Sequence, residues 1–265
     1  MDGHRAQIIP FSRGSCEKGM VVMMNQMVQL MKQLSSKLSP NVYTSAQAPS
    51  SAQQWSYVRQ LQREIRRSDV LDLPLEKLPV VVFDLETSGF YPDQGDRILS
   101  IGAVKVVGLT IQEEETFYSV VHTDTVPPEN ILELTGLSVE ELEAAPPLTS
   151  VLESFYAFIR HSTLVAHHAS HEKAFMSHVT WQTMKLPFEH RVIDTSFLTK
   201  IVAPQELVTL DDCCAYYSIP VQNRHHALED SLMTAKLWIA AIAAAKEAGF
   251  ETLRDIYVHL AHQRK

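Results

Sequence analysis

Cysteine is scarce in this sequence, with three in 265 residues: Cys16, Cys213 and Cys214. The number is odd, two are adjacent, and none has metal-ligand spacing. That suits free thiols in a reducing compartment rather than a disulfide framework. Long apolar runs are missing too. The Ala-rich stretch near 239–245 is too short to span a bilayer and is followed by Lys246 and Glu247. Residues 20–31 are rich in Met and Val, but Asn25, Gln26 and Gln29 interrupt them, and no small-residue cleavage site follows closely. A cytoplasmic protein with no membrane contact is expected. No internal repeat is visible.

Positive charge is in short supply over most of the chain. Residues 1–75 carry 9 Lys/Arg against 5 Asp/Glu, a net of +4, whereas residues 76–265 carry 14 against 26, a net of −12. An acidic domain is a poor nonspecific binder of phosphate backbones. If it handles nucleic acid, bound cations must offset the charge at the site. The basic N-terminal part has two readings, contact with a polyanion or a solvated helix face.

What remains is an ordinary globular composition, 45% apolar and 20% charged, with enough apolar residues for a sizeable core. The length allows one large domain, or one domain plus an appendage. Residues 1–19 lack periodicity and read as disordered. Residues 20–75 read as a helical extension. Met23, Met27, Leu30, Met31, Leu34 and Leu38 form one helical stripe. Residues 39–53 read as a linker, and a second helix is expected from Gln54 to about Arg67.

Residues 76–250 read as the main domain. Leu78–Leu85 is a continuous apolar run ending in an acid, which suits a buried strand. Arg97–Val107 and Glu114–Val121 are further strands, with a meander as the simplest connection. Helices are expected at Ser138–Ala144 and Leu148–His161. The first carries Ser138 and Glu141 in capping-box spacing. Then come a strand at Thr163–Ala166, a helix from near Ser170, a strand at Val192–Asp194 and a helix at Thr195–Val202. Helices at Leu210–Tyr217 and Leu228–Ala248 follow, and residues 251–265 read as a helical tail. Strands first, then strands alternating with helices, indicate an α/β domain with a mixed sheet.

Three stretches can carry chemistry. In Asp84-Leu85-Glu86-Thr87-Ser88-Gly89, the two-residue period of a strand puts Asp84 and Glu86 on one face and Leu85 in the core. Carboxylates forced together repel, and a divalent cation with a taste for oxygen, Mg²⁺ or Mn²⁺, removes that penalty. An exposed acidic strand end leading into a glycine turn is the bland alternative. In Asn223-Arg224-His225-His226-Ala227-Leu228-Glu229-Asp230, Asp230 falls in the first turn of a helix and His225 on the loop before it. A histidine there can take a proton from water near neutral pH. The alternative is a helix-capping Asp beside a surface His pair. The third stretch, His167-His168-Ala169-Ser170-His171-Glu172-Lys173-Ala174-Phe175, follows a strand and opens a helix, with Glu172 in its first turn.

Taken together and in this order, these stretches resemble the DEDDh (DnaQ-like) exonuclease family, which includes the proofreading exonucleases of bacterial DNA polymerase III. The resemblance covers roughly residues 78–246. It rests on VVFDLETSGFYPDQGDRILSIGAVKV, on HHALEDSLMTAKL, on Glu133–Ser138 with Ala145-Pro146-Pro147, and on Val192-Ile193-Asp194-Thr195. It implies a ribonuclease H-like fold with a five-stranded mixed sheet. It implies cleavage of phosphodiesters from the 3′ end of DNA or RNA, releasing nucleoside monophosphates with two divalent cations. Asp84, Glu86, Glu172 and Asp230 would then be metal ligands and His225 the general base. Leu85, Thr87, Phe90 and His168 would lie at the terminal nucleotide. A replication or repair protein docking through residues 20–75 is the expected partner.

The middle motif departs from the family form, close to H-N-A-x-F-D. His168 stands for the Asn, His171 for the Phe and Glu172 for the Asp. A glutamate reaches about one methylene further, and a misplacement on the order of 1 Å can cost about a hundredfold in rate. Two rival readings follow: a degenerate module that binds nucleic acid or a protein without turnover, and a zinc hydrolase built on His167, His168, His171 and His225.

Overall fold

The computed structural model describes residues 70–203 and 207–263. The expectations for residues 1–19, for the two N-terminal helices and for the linker at 39–53 lie outside these residues. Two short 3₁₀ turns, Val70–Asp72 and Leu75–Lys77, lead into strand β1, Pro79–Thr87. Next come β2, Ile98–Val107, and β3, Thr110–Val120. Three helices follow: α1, Glu129–Thr135; α2, Val139–Ala144; and α3, Leu148–Ile159. Strand β4, Thr163–Ala166, runs into α4, Ser170–Met184; β5, Val192–Asp194, runs into α5, Thr195–Val202. The remainder is helical: α6, Leu210–Tyr216; α7, Ala227–Glu247; and α8, Leu253–Gln263.

The five strands form one mixed sheet in the order β3-β2-β1-β4-β5. The β1–β2 and β2–β3 pairs are antiparallel, and β1–β4 and β4–β5 are parallel. This is the expected meander followed by two crossovers. Alternation along β1 divides the molecule. Val81, Phe83 and Leu85 join Leu152, Phe155, Ile159, Phe175 and Met176 in a core under α3 and α4. Val80 and Val82 join Ala235, Trp238, Ala241 and Ile242 of α7 on the opposite face, where Leu253 and Ile256 of α8 are also buried. The residues of both cores are buried, so the hydrophobic term holds a helical layer to each side of the sheet.

One expectation required correction, and one helix had drawn no expectation. Strand β3 begins at Thr110, not Glu114. Thr110, Ile111 and Gln112 pair with Val107, Val106 and Lys105, after which pairing resumes at Thr116 opposite Val104. The acidic run Glu113–Glu115 is an irregularity inside the strand, and it breaks the alternation that would have marked the strand start. Helix α1 was missed. It follows Pro128 and ends at Gly136, whose φ of 69° closes the helix in the left-handed region. The capping box at Ser138 and Glu141 is present, with Ser138 Oγ accepting from Glu141 N and Ser138 N donating to Glu141. None of the described helices is long and apolar enough to cross a membrane.

Candidate active site

Asp84 and Glu86 occupy the last turns of the pleat in β1, on the face covered by α7. A bulge between Glu86 and Thr87 marks the strand end, where Glu86 pairs with Ser100 but Thr87 with Ile98. Leu85 points into the α3–α4 core, so only its backbone is on the carboxylate side.

Asp230 comes to this face because α7 settles directly onto β2. A Cβ on Gly102 would lie 2.2 Å from the Leu228 nitrogen, so only glycine allows the approach. The Ser231 Oγ lies 2.7 Å from the Ala227 carbonyl oxygen and 3.0 Å from that of Gly102, so its one proton is shared between the helix start and β2. Gly102 is paired with Asp84, so the first turn of α7 is delivered beside the β1 carboxylates. Glu172 comes from the first turn of α4.

The electrostatics follow from this crowding. Glu86, Glu172 and Asp230 are 8%, 4% and 4% exposed, which is rare for carboxylates without compensation. Burial, then repulsion from Glu172, Glu86 and Asp230, raises the Asp84 carboxyl well above its usual range, partly offset by Arg224. Burial and the Asp230 charge push Glu86 up to about 8. Burial pushes Glu172 up to about 8, with Asp194 and Glu86 adding repulsion. Ligand atoms of Glu86, His225 and Asp230 lie within 4.8 Å of one another. Glu172 Oε2 and Asp230 Oδ1 are buried without a hydrogen-bond partner. Converging carboxylates that repel, with orphaned buried oxygens, fit hard divalent cations.

His225 sits on the loop before α7 with φ 64°, and its backbone N–H donates to Asp230 Oδ2 at 3.2 Å. Arg224 had drawn no role from the sequence. Its Nη1 bonds Asp230 Oδ2, and its Nε donates to Asp211 Oδ1 at 2.8 Å. The guanidinium therefore ties α6 to the start of α7 and is the cation nearest the acidic cluster among the partners of these groups.

The histidines of the middle motif are not gathered into a zinc site. His167 Nδ1 bonds Thr195 Oγ1 at 2.8 Å, and burial pushes its imidazole down to about 4. His168 has φ 56°; its N–H donates to Asp194 Oδ1 at 3.1 Å and its Nε2 to the Val208 carbonyl at 2.7 Å. That imidazole is committed to the loop before α6. His171 Nε2 lies 3.2 Å from Thr87 Oγ1, while the Thr87 hydroxyl donates to the Gly89 carbonyl at 2.7 Å. The Thr87 proton is thus spent, so His171 Nε2 is the donor of the pair. Burial lowers the His171 pKa. Among the described residues, the cation-capable group is Glu86, His225 and Asp230, with none of these three histidines in it.

Phe90 lies 77% exposed at the rim, its ring edge-on to His171 at 5.8 Å. The loop carrying it is fixed from below by Asp96, which accepts from Tyr91 N at 2.8 Å and from Ser88 Oγ at 3.4 Å. Asp96 fills the space a Cβ on Gly89 would need, 2.3 Å from its Oδ2.

Residues 81–238 match the family model described as Exonuclease, RNase_T. The chain belongs to the DnaQ-like exonuclease family. It is 31% identical over 188 residues to the DNA polymerase III subunit epsilon-like protein of Rhodobacter capsulatus, covering 70% of this chain and 27% of that protein. It is 30% identical over 185 residues to the PolC-type DNA polymerase III of Thermotoga petrophila, covering 70% of this chain and 13% of that protein. The chain thus matches only a minor part of these relatives' length. Among solved structures, a 3′-exonuclease described for 3′-end specific recognition of a histone mRNA stem-loop superposes with a TM-score of 0.56. The identity is 17%, over 74% of this chain and 72% of the other. The exonuclease fold is therefore the ribonuclease H-like one that the sequence resemblance implied.

Proposed function

We propose that this domain removes nucleotides from the 3′ end of single-stranded or 3′-terminal nucleic acid by metal-dependent phosphodiester hydrolysis. The observation that carries the proposal is the group of Glu86, Asp230 and His225 with ligand atoms within 4.8 Å of one another, beside which Asp84 and Glu172 are close enough to add to the mutual repulsion, with unpartnered buried oxygens on Glu172 and Asp230. Two divalent cations held by these carboxylates, Mg²⁺ or Mn²⁺, would polarise the scissile phosphate and lower the pKa of the attacking water. His225 takes the proton of that water on an imidazole nitrogen. Asp230, accepting from the His225 N–H, holds the loop so that the imidazole faces the carboxylates. Phe90 offers an exposed ring against which a terminal base can stack, and His171 and Asp96 fix the ring and its loop. Thr87 lines the strand end beneath it, and Leu85 contributes backbone alone. His168, tied to Val208, shapes the far wall rather than reaching for substrate.

The acidity of residues 76–265 supports a role for cations in admitting a polyanion. The basic residues 1–75 would supply contacts to a strand or to a replication or repair partner, and two buried free thiols, Cys213 and Cys214, suit work in a reducing cytoplasm. The altered middle motif favours one other reading, a binding module without turnover. A 3′-labelled oligonucleotide decides between them. Release of labelled mononucleotide from DNA or RNA, dependent on Mg²⁺ or Mn²⁺, is the expected result. Binding without release with either metal and either substrate would establish the module.

A further inference from the structure

The loop that carries His225 is strained. Asn223 and His225 both have positive φ, 44° and 64°, in a segment with no glycine. Such a conformation persists only when its surroundings hold it. From within, it is held by the His225 N–H bond to Asp230 and by Arg224. The next residue, His226, is the N-cap of α7 but makes no capping bond with its side chain. Its imidazole lies flat against Tyr118 of β3, centroids 4.4 Å apart and planes at 21°.

The sheet explains why these two rings meet. Asp84, Gly102 and Tyr118 are directly paired across β1, β2 and β3. Gly102, in the middle, has no side chain, and the backbone of Ala227 and Leu228 rests on it. The residue just before the helix is thereby carried over β2 to the Tyr118 ring, which remains 38% exposed. One cross-strand row thus holds a site carboxylate, the seat of α7 and an aromatic stop for the loop.

We propose that Tyr118 and His226 are positioning residues whose stacking holds the His225 loop in its strained conformation over the carboxylates. The inference rests on the reading of His225 as the proton acceptor. Neither ring touches the reacting atoms in this account. Their effect is on the orientation of the imidazole, so it falls on kcat rather than KM. An aromatic pair of this kind corresponds to about a three- to tenfold change in rate when its loss is expressed at the transition state.

The test uses the full chain and four variants: Tyr118→Leu, His226→Ala, the double variant, and Tyr118→Phe, which keeps the ring. Mg²⁺-dependent nucleotide release gives kcat and KM, and amide hydrogen exchange reports residues 223–226 directly. Tyr118→Leu and His226→Ala are each expected to lower kcat about three- to tenfold, leave KM within twofold and speed exchange in 223–226. Tyr118→Phe restores both readouts, and the double variant is no worse than either single one. Unchanged exchange in 223–226 in Tyr118→Leu and His226→Ala overturns the inference, as do losses in the double variant that multiply. If the wild type released no nucleotide, the exonuclease reading would fall by itself. Hydrogen exchange would then decide alone whether the stack holds the loop.

Discussion

At the scale of single residues, the site balances charge that burial makes costly. Arg224 is the clearest case. It bonds the almost fully buried Asp230 and the more exposed Asp211, and its charge lowers the pKa values of Asp84 and Glu86. Removing one member of a buried ion pair leaves the other uncompensated, which costs on the order of 3 kcal/mol. Arg224→Ala is expected to lose about that much in urea unfolding with EDTA present. The loss should shrink in saturating Mn²⁺, because cations compensate the same carboxylates. An equal loss with and without Mn²⁺ would show that Arg224 does not share its role with them. The positions of Asp84 and Glu86 at a strand end, Asp230 in a first helix turn and His225 on the loop before it were legible in the sequence because each is local: a two-residue pleat, one helix turn, one loop. The partner of Arg224 was not, since a guanidinium beside several acids has no spacing rule. The Tyr118–His226 stack was hidden for a similar reason, being set by register across three strands.

At the scale of elements, the functional geometry depends on how closely α7 sits on β2. Gly102 has an ordinary strand conformation, so alanine there is strained only by contact. Its Cβ would fall 2.2 Å from both Ala227 C and Leu228 N, which are backbone atoms at the helix start. Gly102→Ala should therefore destabilise the protein by about 1–3 kcal/mol, as overpacking does. It should also depress activity well beyond what that loss explains, because Asp230 and the His225 loop move with α7. Thermal melts and kcat on the same preparation check this; normal kcat with lowered stability would contradict it. Elements with strong local signals were legible. The apolar β4 and β5, the capping box of α2 and the long α7 stand where the sequence placed them, within a residue. Helix α1 escaped because it has only seven residues and no long stripe, though the Pro127-Pro128 start and the Gly136 stop were visible signs. The first part of β3 escaped because Glu113–Glu115 interrupts its pairing.

At the scale of the whole molecule, the site sets how stability varies with pH. Glu86 and Glu172 are raised from the usual 4.5 to about 8, and Asp84 is raised as well. A carboxyl with a raised folded-state pKa holds its proton more tightly when folded. Its contribution is fully present below pH 4.5 and is lost as pH rises through about 8. Without divalent cations, the melting temperature should therefore fall between about pH 5 and pH 8. Added Mg²⁺ should raise it more at pH 8 than at pH 5, because cation binding releases those protons. Glu172→Gln should flatten the slope. A slope unchanged by that substitution would mean that the cluster does not govern the pH response. The fold class was legible here from the order of motifs and of strands and helices.

The most direct measurement follows a 5′-labelled strand, DNA and RNA in parallel, during incubation with wild type, Asp84→Asn and His225→Gln. Wild type with Mg²⁺ or Mn²⁺ should shorten the strand from its 3′ end one nucleotide at a time. Asp84→Asn should be inactive, and His225→Gln should be slower by about 10²–10⁴-fold while still binding Mn²⁺. An undegraded ladder with wild type, or shortening that survives Asp84→Asn, would contradict the account.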